Sequence, residues 1–259
     1  MDLGIAGERA LILGGTQGLG YSCAKFLHQA GVKVALNGRD AAKGEAAARA
    51  LGAGVAFVAG DLGKPADRAQ IYGRAKQAIG DPSILVTNAG GPPPGQFMDQ
   101  PHAAWLAALE TNVLAAIEVA RLCLPAMLEA GFGRIVNITS FVVREPYPNM
   151  AISNAVRVAL TGAMAALARE VADKGVTVNN ILPGLMDTPA LQRVYGAQAQ
   201  RENITIPEAK ARMAKSIPLQ RLGTADDFGP LCAFVCSRHA NYITAQNFTV
   251  DGGLVRGLL

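Results

Sequence analysis

The sequence predicts one α/β domain over residues 1–259: a doubly wound, seven-stranded parallel sheet with helices on both faces. Three observations predict it. Short apolar runs alternate with helical patterns almost to the end of the chain. The first run, Ala10–Leu13, turns on Gly14, Gly15, Gly18 and Gly20 into a helix. Small or polar residues follow the other runs, where a parallel sheet of this kind carries its ligands.

The elements follow in order. Ala10–Leu13 reads as a buried strand and Tyr21–Ala30 as the helix after it, stopped at Gly31. Lys33–Leu36 is a second strand and Ala41–Leu51 an alanine-rich helix. Val55–Ala59 is a third strand, and Pro65–Ile79 a helix with proline in its first turn. Ile84–Thr87 is a fourth strand. Ala103–Ala130 is a long helical stretch that Pro125 is expected to kink or break. Arg134–Ile138 is the fifth strand, Ser153–Ala172 its helix and Thr177–Leu182 the sixth strand. Residues 185–218 interrupt the alternation with polar, partly helical sequence and read as a substrate lid. Asp226–Ser237 is a helix, and Asn247–Val250 a last strand. The run from Gly90 to Gly95, with three prolines inside it, reads as a rigid loop tip rather than a domain boundary.

Composition narrows the function. Basic residues exceed acidic ones by 24 to 20, a net charge of +4, but Lys and Arg are scattered and form no basic run. Nucleic-acid binding is therefore not expected. The four cysteines, at 23, 123, 232 and 236, make no Cys-x-x-Cys pair, and no metal site is expected. They read as buried free thiols in a reducing compartment. His28, His102 and His239 lie in unrelated contexts and carry no assigned chemistry. The start of the chain has no charged-then-apolar leader, and no apolar run reads as long enough to span a membrane, so a cytoplasmic location is expected.

The strand ends form a candidate site. In Gly14-x-x-x-Gly18-x-Gly20, with Thr16, Gln17 and Leu19 between the glycines, backbone N–H groups and a helix N-terminus offer a phosphate cradle. Asn37-Gly38-Arg39 follows the second strand. An acidic residue there would repel a ribose 2′-phosphate; none is present, and Arg39 can pair with that phosphate. Asp61-Leu62 follows the third strand, where an adenine edge would lie. Asn88-Ala89-Gly90 follows the fourth and Thr139-Ser140 the fifth. Pro183-Gly184 ends the sixth, with Met186 and Thr188 just beyond. These positions trace the path of a dinucleotide, and Arg39 favours NADP(H) over NAD(H).

Over essentially its whole length the chain resembles the short-chain dehydrogenase/reductase family, whose members have a Rossmann fold. The glycine turn, Asn88-Ala89-Gly90, Asn112, Ser140, Pro183-Gly184 and Asp251-Gly252-Gly253 match its motifs, although Leu13 stands where threonine is usual. The resemblance implies that Asn112 and Ser140 belong to a catalytic set. It also implies that Pro183, Gly184 and Thr188 bind a nicotinamide carboxamide.

One motif departs from the pattern. Aligned by Arg169-Glu170 and by Gly175 to Asn179, the family's Tyr-x-x-x-Lys falls on Ser153 and Arg157. A slip of one residue gives Ile152 and Val156, which is chemically worse. The segment resembles a divergent branch that pairs a Gly-Gly-Pro-Pro-Pro-Gly loop with a Ser-Asn-x-x-Arg helix start. In the family the tyrosine protonates the carbonyl oxygen, and the lysine lowers its pKa and holds the nicotinamide ribose. Serine is a far weaker acid and shorter by a ring, whereas Arg157 keeps its charge and can still reach a ribose. Tyr147, between Pro146 and Pro148, reads as a packed turn residue rather than a replacement phenol.

The leading expectation is an NADP(H)-dependent oxidoreductase that reduces a carbonyl of a small molecule, a ketone or a 3-oxoacyl-like group. Asn112, Ser140, Ser153 and Arg157 would form its catalytic set, with an atypical proton donor. The alternatives are a conjugate C=C reductase or isomerase, or an NADP-binding protein without turnover. The apolar faces of the two long helices predict a homo-oligomer, a tetramer, with Leu254-Val255 and Leu258-Leu259 available for a second interface.

Overall fold

The computed structural model describes residues 1–257, so Leu258-Leu259 lies outside the described residues. Seven strands form one sheet: β1 (Arg9–Ile12), β2 (Lys33–Gly38), β3 (Val55–Ala59), β4 (Ile84–Thr87), β5 (Gly133–Ile138), β6 (Val176–Pro183) and β7 (Asn247–Val250). Every pairing is parallel, and the order is β3-β2-β1-β4-β5-β6-β7. The central strands are buried because both faces of the sheet are covered; β5 and β6 are buried at every residue, the polar ones included. Winding reverses between β1 and β4, which opens a crevice at their C-terminal ends.

Nine helices are described: α1 (Gly18–Gln29), α2 (Ala41–Leu51), α3 (Pro65–Ile79), α4 (His102–Leu109), α5 (Ala115–Glu129), α6 (Ala151–Val171), α7 (Pro189–Glu202), α8 (Ile206–Lys215) and α9 (Gly229–Val235). Helices α3, α5 and α6 bury Ile71, Val119, Met127, Leu160 and Met164 against one face of the sheet. On the other, α1 and α9 bury Cys23, Leu27, Cys232 and Val235, with Cys236 just beyond. All four cysteines are buried and free. A third apolar cluster, with Leu191, Tyr195 and Met213, sits under α7 and α8, where the sequence predicts a lid.

A row of polar side chains crosses the sheet beneath the site. Thr87 donates to Asn137 at 2.7 Å, Asn137 to Asn180 at 3.0 Å, and Asn180 to Asn247 at 2.8 Å. These residues are register partners on β4, β5, β6 and β7. Each buried amide is thus satisfied by the next strand, which fixes the strand ends relative to one another.

Four expectations need correction. Helix α1 begins at Gly18, inside the glycine turn, because glycines 18 and 20 fit its first turn without steric cost. The long helical stretch is not broken at Pro125, which lies inside α5. Pro125 and Arg121, whose carbonyl loses its partner, are both exposed, so water can take that bond. The irregularity falls instead at Glu110–Leu114, one π-helical turn joining α4 to α5. Near the C-terminus, Thr224 and Asp227 cap a separate short turn, and Pro230 restarts the chain as the shorter α9. Finally, the helical runs His102–Glu129 and Ala151–Lys174 are as long and apolar as a membrane span. Much of that apolar character is core, including Val119, Cys123, Val156 and Leu160.

Candidate functional site

The turn after β1 is shaped by side chains it cannot have. Gly14 has φ +56°, and a Cβ on it would lie 2.8 Å from the Asn88 carbonyl oxygen. A Cβ on Gly20 would lie 2.5 Å from the Gly14 carbonyl oxygen. Asn88 donates its side-chain N–H to that same carbonyl at 3.0 Å, tying β4 to the turn. Gln17 precedes α1 without capping it, and the first turn of α1 contains no acidic residue. The N-terminal amides of α1 are thus left to an anion, and the helix dipole favours its charge. Thr16 packs against Gly38 at the end of β2.

The remaining strand ends converge on this turn to different degrees. Arg39 is exposed immediately after β2. Its neighbour Asp40 is engaged in capping α2, accepting from the Lys43 backbone at 3.1 Å. Asn37, by contrast, is 1% exposed and spends its amide on the carbonyls of Val58 and Gly60. It braces β2 against β3 rather than facing a ligand. Asp61 accepts from the Gly63 backbone at 3.0 Å, and Leu62 is buried beside it. Beyond β6, Gly184 has no room for a side chain against Asp251. Met186 bridges to Gly223, and Thr188 stands 3.6 Å from the Cβ position of Gly18. The segment after β6 therefore closes over the glycine turn, and Gly90 and Gly91 stand open at the end of β4.

The other half of the cleft is built from side chains. Ser140 is half-buried after β5, and its hydroxyl oxygen accepts from the Val142 backbone at 3.4 Å. Ser153 is 5% exposed, two residues into α6. One turn on, Arg157 donates to the carbonyl of Ile138 at 3.0 Å and to that of Ala89 at 3.5 Å. It therefore ties the ends of β4 and β5 together. No carboxylate among the described residues pairs with it, and burial pulls its pKa down to about 10, so it stays charged at neutral pH. Its Nε and the Oδ1 of Asn112 are buried without partners, and both residues line one small cavity with Thr87, Asn88 and Ile138. Asn112 lies in the π turn and donates to the Ala108 carbonyl.

Tyr147 is packed in the turn before α6. Its ring packs edge-on against Phe141 at 5.4 Å, and burial raises its pKa, the opposite of what a proton donor needs. The side chain of Asn154 holds it there, donating to the Tyr147 carbonyl and accepting from its N–H. Sequence reading marked Asn154 only as part of a branch motif. The geometry gives it a positioning role, shaping the loop in front of Ser153. The Pro-rich loop ends in a similar contact, with the Gly95 N–H donating to the Asn149 carbonyl at 2.7 Å.

A crevice at the switch point of a doubly wound sheet, opposite an asparagine, a serine and a helix-borne cation, is the architecture of a nucleotide-binding α/β fold. Comparison with known proteins gives the family. A family model described as enoyl-(acyl carrier protein) reductase matches residues 14–255. D-beta-hydroxybutyrate dehydrogenase of Cupriavidus necator is 32% identical over 96% of this chain and 98% of its own. NADPH-dependent reductase BacG of Bacillus subtilis is 27% identical over 96% and 98%. L-sorbose reductase from Gluconobacter frateurii, solved with NADPH and L-sorbose, superposes with a TM-score of 0.94 at 28% identity, covering all of both chains. The chain belongs to the short-chain dehydrogenase/reductase family and is an oxidoreductase of that type.

Proposed function

We propose that the protein is an NADP(H)-dependent reductase of a carbonyl substrate, a ketone or 3-oxoacyl-like group, with an atypical proton donor. One observation carries the reading. The glycine turn keeps a phosphate cradle that no Cβ could enter, while the facing helix presents Ser153 and Arg157 in one buried row. The cofactor, when bound, supplies the hydride. The backbone amides from Gly14 to Gly20 and the α1 N-terminus hold its pyrophosphate. Exposed Arg39 pairs with its 2′-phosphate. Gly184, Met186 and Thr188 cover the nicotinamide end. Ser140 donates to the carbonyl oxygen. Arg157 places a positive charge beside it at neutral pH and reaches the ribose with N–H groups not spent on Ile138 and Ala89. Ser153 is a weak acid, so the proton comes from water through that hydroxyl or past it. The NADPH complexes of the sorbose reductase and of an actinorhodin polyketide ketoreductase support this reading.

The test is NADPH oxidation by the purified protein over ketones, β-ketoacyl thioesters, quinones and enones. Turnover of a ketone or thioester is expected. Turnover of enones alone would replace the reading with a conjugate reductase, and saturable NADPH binding with no turnover would replace it with a binding protein. We also infer a homo-oligomer, a tetramer. Leu106, Leu109, Leu114 and Val158, between 38% and 53% exposed, lie on α4, the π turn and α6. Sizing chromatography at micromolar protein is expected to show it, and a monomer peak would contradict it.

A further inference from the structure

Arg68, in the first turns of α3, is only 1% exposed although it carries a charge. Its Nε and Nη2 donate to the Leu62 carbonyl at 3.0 and 2.9 Å. Nη2 also lies 3.1 Å from the Glu110 carbonyl oxygen and 2.6 Å from the Glu110 carboxylate. Nη1 is 2.9 Å from the Glu118 carboxylate. Burial disfavours the charge, but Glu118 and Glu110 outweigh it, and the pKa of Arg68 is raised.

The choice of carbonyls matters. Leu62 belongs to the turn after β3, where a dinucleotide's adenine would lie. The Glu110 carbonyl is the one that accepts the Ala115 N–H and so defines the π turn. Two residues on is Asn112, with its buried, unpartnered Oδ1. The two segments already touch, since the Cβ position of Gly63 is 3.1 Å from the Thr111 hydroxyl. A neutral side chain in place of Arg68 would leave the Leu62 carbonyl without these bonds and two carboxylates without their cation.

We propose that Arg68 is a positioning residue: it holds open the π turn that aims Asn112 and couples that turn to the adenine-side turn of the cofactor cleft. The proposal rests on the reading of Asn112 as a site residue. It makes Arg68 act through Glu110 and Leu62, with no contact to substrate.

The test compares R68M and R68K with wild type by amide hydrogen exchange and by NADPH fluorescence titration, neither of which needs turnover. In R68M, exchange in the 113–116 segment is expected to speed up about tenfold or more, with central-strand amides unchanged. NADPH affinity is expected to fall about fivefold or more. R68K, which keeps a charged donor, is expected to recover most of both. If R68M does not fold, E110Q carries the test, with about threefold faster exchange confined to the same segment. Unchanged exchange, loosening spread evenly over the sheet, or R68K behaving like R68M would each overturn the proposal. Failure of wild type to bind NADPH would instead strike the proposed function, and the exchange result would still decide the role of Arg68.

Discussion

The turn after β1 and the start of α6 face the same cleft and are built on opposite principles. The turn is shaped by missing atoms: Gly14 and Gly20 have no space for a Cβ, and what it presents is backbone. The α6 start works through atoms that are present, the hydroxyl of Ser153 and the guanidinium of Arg157. The first cannot change without moving backbone. The second can change at Ser153 without moving backbone, whereas Arg157 also ties the ends of β4 and β5 together. On the proposed function, the comparison makes cofactor binding and acid chemistry separable, one set by the fold of the glycine turn and the other by the side chains that open α6.

The largest effect is expected where the fold is decisive. Gly20→Ala would push a Cβ to 2.5 Å from the Gly14 carbonyl oxygen. NADPH affinity is expected to fall more than about a hundredfold, read by fluorescence titration, with the melting temperature reporting any general loss of fold. Binding within threefold of wild type would break the contrast. Next, Ser140→Ala is expected to lower kcat about a hundredfold with NADPH affinity intact, since the lost donor acts only on developing charge. A matched loss of cofactor affinity would place Ser140 on the binding side.

Arg39→Ala is expected to weaken NADPH binding about ten- to hundredfold and leave NADH binding unchanged, the range for a charge-assisted contact. Equal loss for both cofactors would make Arg39 structural. Ser153→Ala is expected to be the smallest, below about tenfold in kcat, and a larger loss would show that the hydroxyl relays the proton.

The same contrast explains what was legible in the sequence. The strands were legible because buried parallel strands are plain apolar runs, as in Ile84–Thr87. The glycine turn was legible because only glycine fits it. The π turn left no mark, since one extra residue in a helix changes neither composition nor periodicity, and Pro125 drew the expected break to an exposed place that tolerates it. Arg68 carries no sequence signal because its partners lie about 40 and 50 residues away, at Glu110 and Glu118. Asn37 stood in a motif position, yet its amide turned to β3, and no spacing rule reveals where a side chain points. The departure at Ser153 and Arg157 is read from the alignment of the sequence's own motifs, and what those residues do depends on a substrate that residues 185–218 do not name.

The most direct measurement is ketone reduction by the double variant S153Y/R157K beside wild type, with NADPH affinity as the internal control. If the acid half was replaced within an otherwise ordinary carbonyl site, the variant should bind NADPH within about threefold of wild type. It should also gain ketone reduction. A variant that binds NADPH equally well yet reduces no ketone would contradict the carbonyl-reductase account and mean that the cleft has been rebuilt for a different substrate or for binding alone.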